Sequence, residues 1–268
     1  MSLFHRHIRP AHPYKLRPSP HLEGEKRFLR APRCPLPEKI DLSGLFGTAD
    51  DQGQAGYCFA FAGKESMEAM HKAATGEALK FSPRFLGYNV HAAEGTLNDD
   101  CGGTIADAID SLIALGVCRE ESWLYDTTQL WVKPSDDAYS EALKYQGLSK
   151  ERIDIDVDQI KTALSLGFPV PFGFQVYESF ESQAVAQTGE VPMPKPWEQC
   201  MGGHGVIIKG CDDTKRMNSI LGFGGTVGAF LVRNSWGPNW GSNGDFWLPY
   251  AYITPDRVSD AWAITKAE

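Results

Sequence analysis

What most constrains this chain is the order of its textures: helix-like periodicity lies before residue 167 and strand-like runs lie after it. From Cys58 to about Ala74, residues Phe59, Ala62, Ser66, Ala69 and Ala73 recur at alternating spacings of three and four, the signature of one helix face. Gly76 stands where a terminator is expected. A second helix is expected from Thr104 to Leu115, closed by Gly116, and a short third one over Val157–Leu166. Beyond Gly167 the candidates are strands: Val170–Val176, His204–Gly210, Ala229–Asn234 and Asp245–Leu248, separated by Gly, Pro and Asn/Asp clusters. Helices first and strands later do not alternate as βαβ units do. They predict an α+β protein with a helical lobe over about 40–150 beside a sheet lobe over about 151–268. A cleft between two such lobes is a usual place for a site.

Residues 1–39 follow neither pattern. Pro10, Pro13, Pro18, Pro20, Pro32, Pro35 and Pro37 block helix and favour extended backbone. Residues 1–33 hold eight Lys/Arg (Arg6, Arg9, Lys15, Arg17, Lys26, Arg27, Arg30 and Arg33) against Glu23 and Glu25. The arm is therefore +6 on a body of −14, within a chain of net charge −8. That asymmetry points to salt-sensitive association of the arm with its own body, with a phosphate-bearing or other anionic ligand as the rival partner. No apolar run approaches the roughly 20 residues that cross a bilayer, so no membrane partner is expected. The first 30 residues lack the continuous apolar stretch of a secretory leader. The compartment stays open, with the cytoplasm slightly favoured over a leader already removed.

Chemistry concentrates at Gln52-Gly53-Gln54-Ala55-Gly56-Tyr57-Cys58. A glycine-bearing loop runs into a helix whose first turn holds a cysteine. Unpaired N–H groups and the positive end of the helix dipole favour thiolate there. Gln52, six residues upstream, can offer its side-chain amide beside the Cys58 N–H as an oxyanion hole. Downstream, His204 opens an apolar strand between Gly203 and Gly205. It is followed by Arg233-Asn234-Ser235-Trp236-Gly237-Pro238-Asn239-Trp240-Gly241.

Taken together, these segments resemble the papain family of cysteine peptidases. Its members place Gln six residues before a Cys that opens the central helix, His far downstream, and an Asn-Ser-Trp-Gly-x-x-Trp-Gly block after it. The resemblance spans roughly residues 37–265, and the 146-residue separation of Cys58 and His204 lies within the family's range. It implies a two-lobe fold, helical on the left and β-barrel-like on the right, with the active site between. It also implies Cys58 as nucleophile, His204 as base and acid, Asn234 as orienter of His204, Gln52 in the oxyanion hole, and Trp236 as a cover over the His204–Asn234 bond. No metal or cofactor is required.

Asp100-Cys101-Gly102-Gly103 resembles the family's Cys-Asn-Gly-Gly turn. By that match Gly103 pairs with an extended peptide, with Gly102 beside it, and Thr104 and Ile105 begin a pocket wall opposite Gly173 and Gly205. Glycine walls leave room for a bulky apolar residue just before the cleaved one. The expected activity is endopeptidase hydrolysis of peptides or proteins, with the arm restricting the cleft. A catalytically silent peptide-binding relative and a Cys-His acyl-transfer or deconjugating enzyme are the alternatives.

Departures from the family are specific. Tyr57 and Phe59 replace the usual small residue and Trp. Ala55 and Asp100 stand where both halves of a disulfide usually sit, a double loss that suits a chain without reliance on an oxidising compartment. With Cys58 free, Cys34, Cys101, Cys118, Cys200 and Cys211 remain, and five thiols cannot all pair. Two long connections, 178–200 and 212–228, flank the His204 strand. The arm lacks the helical, charged character of the family's usual propeptides.

Overall fold

The computed structural model describes residues 11–30, 35–217 and 225–267. Arg6, Arg9, Arg33, Cys34 and the centre of the 212–228 hairpin, residues 218–224, lie outside the described residues.

After the arm, a short strand β1 (Lys39–Asp41) leads into the helical lobe: α1 (Cys58–Thr75), α2 (Pro83–Glu94), α3 (Ile105–Leu115) and α4 (Asp136–Ala142). The sheet lobe holds β2 (Gly147–Ile153), α5 (Val157–Ser165), β3 (Val170–Tyr177), α6 (Gln183–Thr188), β4 (Cys200–Met217), β5 (Thr226–Arg233), β6 (Asp245–Pro249) and β7 (Val258–Ala267).

Local chemistry explains the ends of the helices. Gly76 closes α1 at φ +78°, a backbone that side-chain-bearing residues rarely adopt. Thr104 caps α3 by accepting from the Asp107 N–H, and Ser82 caps α2 from the Phe85 N–H with Pro83 in the first turn. Gly63 lets α1 press against α2 and α3, since a Cβ there would lie 3.1 Å from both Ala108 Cβ and Leu86 Cδ2. The other side of α1 faces β4. Pinned from both sides, α1 is buried almost all round through Ala69, including Lys64, Glu65 and Glu68. Lys64 remains charged there because Glu68 at 2.8 Å and Asp50 neutralise it.

The antiparallel strands run in the order β2-β7-β3-β4-β5-β6, with β1 added on β4. The lobe expected to be barrel-like is thus an open sheet: β2 and β6 end the path, with no pairing between them among the described residues. Each edge is partly covered by main-chain bonds at one residue, Arg152 on β2 and Trp247 on β6. The arm covers β2, with Phe28 N–H donating to Arg152 O and Arg152 N–H to Lys26 O, both 2.8 Å. The 178–200 connection covers β6, through Trp247 N–H to Gly189 O at 2.7 Å and Val191 N–H to Trp247 O at 3.1 Å.

Two apolar cores result, one inside the helices and one inside the sheet lobe. The arm contributes to both: Leu16 enters the first and Phe28 the second. Among the described residues no helix is long and apolar enough to cross a membrane.

Candidate active site

Cys58 is the first residue of α1, fully buried at the junction of the lobes. Ala60 and Phe61 direct their N–H groups to Tyr57 O, while the N–H groups of Cys58, Phe59 and Gly205 face the sulfur. These donors favour thiolate, as the sequence predicts. Burial outweighs them. The thiol is pushed up to about 11, chiefly by loss of water. In this buried arrangement the helix terminus lowers the pKa, but desolvation raises it further.

His204 lies on β4, also fully buried, and one ring nitrogen, Nε2, is 2.8 Å from Asn234 Oδ1. Asn234 carries that acceptor at the end of β5, where its own N–H donates to Gly244 O at 2.9 Å. Nδ1 of His204 has no hydrogen-bond partner, so the ring is fixed at one nitrogen and free at the other. Burial lowers its pKa to about 4, partly opposed by the Asn234 bond. Trp236 lies over the ring, centroids 5.0 Å apart and planes 27° apart, shielding the His204–Asn234 bond from water.

Gln52 is fully buried across from these groups. Its Oε1 accepts from Ser235 Oγ at 2.6 Å, and one amide hydrogen goes to Ala55 O at 2.8 Å. The second amide hydrogen is left for a ligand. Ser235 also accepts the Gln52 N–H through its carbonyl at 2.9 Å, so the block that carries Asn234 and Trp236 also orients Gln52. Along the sequence Ser235 is only one position of the Asn-Ser-Trp-Gly block; its support of Gln52 depends on which loops meet.

The glycines named from sequence surround the arm. Leu16 N–H donates to Gly203 O at 3.1 Å and Arg17 N–H to Gly103 O at 2.9 Å. The Leu16 side chain fills the space between Gly173 and Gly205, where added Cβ atoms would come within 2.5 and 3.1 Å of it. Ile105 Cδ1 closes the same pocket beside Gly205. Gly102 passes so close to Lys15 that a Cβ would lie 1.9 Å from its carbonyl oxygen. Thr104 is buried with its hydroxyl engaged in capping α3, so it supports the wall from behind.

Further along the arm, Tyr14 meets the His204 ring edge-on at 5.9 Å, and His12 stacks on Trp236 at 3.9 Å. Beyond Leu16, Ser19 donates to the buried Asp260, which also accepts from Ser259 Oγ at 2.6 Å and Trp262 Nε1 at 2.8 Å. Asp260 lies on β7, a strand absent from the sequence reading.

Two departures from the family pattern, at Tyr57 and at the Ala55/Asp100 pair, have local partners. The Tyr57 ring occupies the place where Gly87 on α2 lacks a Cβ, which would otherwise sit 2.1 Å from it. Asp100 accepts the Gly56 N–H with both oxygens at 3.0 Å, tying together the two segments that carry Ala55 and Asp100 without a covalent bond. Cys58, Cys101, Cys118, Cys200 and Cys211 are all free thiols.

Comparison with known proteins identifies relatives of this chain. A family model described as papain family cysteine protease matches residues 36–253. An uncharacterized peptidase C1-like protein of Acanthamoeba polyphaga mimivirus is 39% identical over 191 residues, covering 68% of this chain and 58% of that protein. A probable cysteine protease of Arabidopsis thaliana is 27% identical over 234 residues, covering 85% of this chain and 46% of that protein. The chain thus spans about half the length of these curated relatives. Among solved structures, xylellain, a cysteine protease from Xylella fastidiosa, superposes with a TM-score of 0.84 at 31% identity, covering 96% of this chain and 97% of that one.

Proposed function

Because the chain belongs to the papain family of cysteine proteases, we propose that it hydrolyses peptide bonds through Cys58 and His204, and that residues 11–19 hold it closed. One observation carries this reading: His204 is anchored through Nε2 to Asn234 beneath Trp236, leaving Nδ1 unpartnered in the junction where Cys58 is buried. In the reaction, the Cys58 proton passes to Nδ1 and the sulfur adds to the scissile carbonyl. The Cys58 N–H and the spare Gln52 hydrogen receive the oxyanion. As the C–N bond breaks, the imidazolium gives its proton to the leaving amine. Water then loses a proton to the imidazole and adds to the thioester carbonyl. Expulsion of sulfur releases the acid, and the proton returns to restore the resting pair.

The direction of the arm supports the closed state. By the family resemblance, the N-terminal, acyl portion of a cleaved peptide would lie toward Gly103 and the amine would depart toward His204 and Trp236. The arm runs the other way, with His12 and Tyr14 beside Trp236 and His204 and the later Leu16 and Arg17 beside Gly103. Main-chain bonds hold it there without presenting a scissile carbonyl in the productive sense. Covering the pair also removes water, which favours thiol and neutral imidazole over the reactive ion pair. Leu16 in the glycine-walled pocket supports a substrate with a bulky apolar residue just before the cleaved one.

The test compares the whole 268-residue chain with its Leu16→Asp and Cys58→Ala variants on an unstructured protein, with products identified by mass. Turnover should rise in L16D and vanish in C58A. Hydrolysis surviving in C58A overturns the assignment of the nucleophile, and equal turnover of L16D and the parent chain overturns the closing role of the arm.

A further inference from the structure

Beside the cleft, three potential ligands converge that the proposed chemistry does not use. His91 and Glu94 stand three residues apart on α2, hence on one face, and Cys101 lies on the turn before Gly102. One imidazole nitrogen, one carboxylate oxygen and the sulfur all lie within 4.8 Å of one another. His91 is fully buried, packed against the rings of Tyr57, Phe59 and Trp131 at 5.6, 5.8 and 5.1 Å. Its Nδ1 meets Thr96 Oγ1 at 2.8 Å, and its Nε2 has no partner. A cation already sits there: one guanidinium nitrogen of Arg17 contacts both Glu94 oxygens at 2.5 and 2.6 Å and Gly102 O at 3.2 Å.

We propose that His91, Glu94 and Cys101 form a binding site for a thiophilic divalent cation of the Zn²⁺ class, which competes with Arg17. Imidazole, carboxylate and thiolate are the donor set such an ion takes, and three protein ligands leave a fourth position for water. Contraction from 4.8 Å to the spacing around one ion is within reach of the Glu94 and Cys101 side chains, whereas His91 is held by its aromatic neighbours. On binding, the Cys101 thiol releases its proton to solvent and the sulfur–metal bond forms, with no change of oxidation state. The metal and the guanidinium cannot share the Glu94 carboxylate. Since the Arg17 N–H also pairs with Gly103 O, metal binding and seating of the arm oppose each other, and the antagonism is reciprocal.

The experiment titrates Co²⁺, then displacing Zn²⁺, into full-length protein carrying Cys58→Ser, which removes the other metal-prone thiol from the cleft. A thiolate-to-cobalt charge-transfer band is expected, with affinity about tenfold higher once Arg17→Ala is added. The band should disappear in the further Cys101→Ser variant and weaken about tenfold in Glu94→Gln. Circular dichroism establishes that each variant is folded; Cys101 is partly exposed, and Glu94→Gln preserves shape. No band in the R17A protein, a band that survives C101S, or an affinity indifferent to Arg17 overturns the proposal. No peptide hydrolysis enters the readout, so its outcome is independent of the assigned activity.

Discussion

The two halves of the arm touch the body in opposite ways. Residues 11–19 lie in the cleft through main-chain bonds to glycines and through ion pairs that remain partly in water: Lys15–Asp100 is 41% and 26% exposed, Arg17–Glu94 43% and 19%. Only Leu16 and Ser19 are buried. Residues 25–30 instead complete the sheet lobe. Phe28 is buried in its core against Phe168, the Arg30 guanidinium lies 4.6 Å over the Phe28 ring, and Glu25 pairs at 2.5 Å with a buried Arg152 stacked on Trp262. The first half is docked on a finished surface. The second is part of what finishes it. Under the proposed closed state, opening would release residues 11–19 while 25–30 stay in place, and a truncation that removes both halves would damage the fold as well as the cover.

The largest effects should separate the halves by stability. Phe28→Ala is expected to destabilise the chain by about 3–5 kcal/mol, and Glu25→Ala by a similar ~3–5 kcal/mol because it strands a buried guanidinium. Urea denaturation measures both, and a loss below about 1 kcal/mol in each would erase the distinction. Leu16→Asp, by contrast, should raise peptide turnover about tenfold or more, the equivalent of withdrawing one buried leucine from its pocket. Its urea midpoint should stay near that of the parent chain; a collapse of that midpoint would place residues 11–19 in the same class as 25–30.

Next comes reactivity with pH. Burial raises the Cys58 thiol and lowers His204; under the proposed closed state, releasing the arm readmits water and reverses both signs, so that the thiol pKa falls and the imidazole pKa rises. Iodoacetamide alkylation of Cys58 should climb only at strongly alkaline pH in the parent chain, and its midpoint should drop by at least about one unit in L16D. Coincident profiles would mean that the arm does not set the protonation of the pair. The smallest effect concerns salt. Partly exposed ion pairs contribute about 0.2–1 kcal/mol each, so raising ionic strength should increase turnover of the parent chain about two- to fivefold and leave L16D nearly unchanged.

Sequence patterns revealed those elements whose side chains follow their period. The α1 stripe from Phe59 to Ala69, α3, β3, β5 and β6 fall close to their expected positions because one face, or nearly every residue, is apolar. β4 instead extends beyond the expected His204–Gly210 to Cys200 and Met217, through glycines at one end and charged residues at the other. α2 shows no clear period in the sequence because Arg84, Asn89 and His91 are buried on it and blur the apolar stripe. β2 was missed because Lys150, Glu151 and Arg152 read as surface; the charge of Arg152 is met by Glu25 from 127 residues away. β7 conceals Asp260 in its interior, where three donors from other positions satisfy it. The same limit applies at the cleft. The types and spacings of Gln52, Cys58, His204 and Asn234 stand out along the chain, whereas the partner of each depends on which loops meet. The charge imbalance of the arm suggested where it could bind, but Leu16 and Phe28 divide it into halves, and no periodicity marks them.

The bare backbone that lines the cleft at Gly102, Gly173, Gly202 and Gly203 has an evolutionary consequence. A single methyl group there would collide with the lodged segment, at 1.9 Å from Lys15 O for Gly102 and 2.5 Å from Tyr14 O for Gly202. The same methyl would bar a guest peptide from that track. Under the closing role proposed for the arm, mutation of the wall cannot free the cleft without also blocking it, whereas residues 11–19 can drift to tune how tightly they are held. Selection on the restraint should be written in the tether, and selection on catalysis in the glycines.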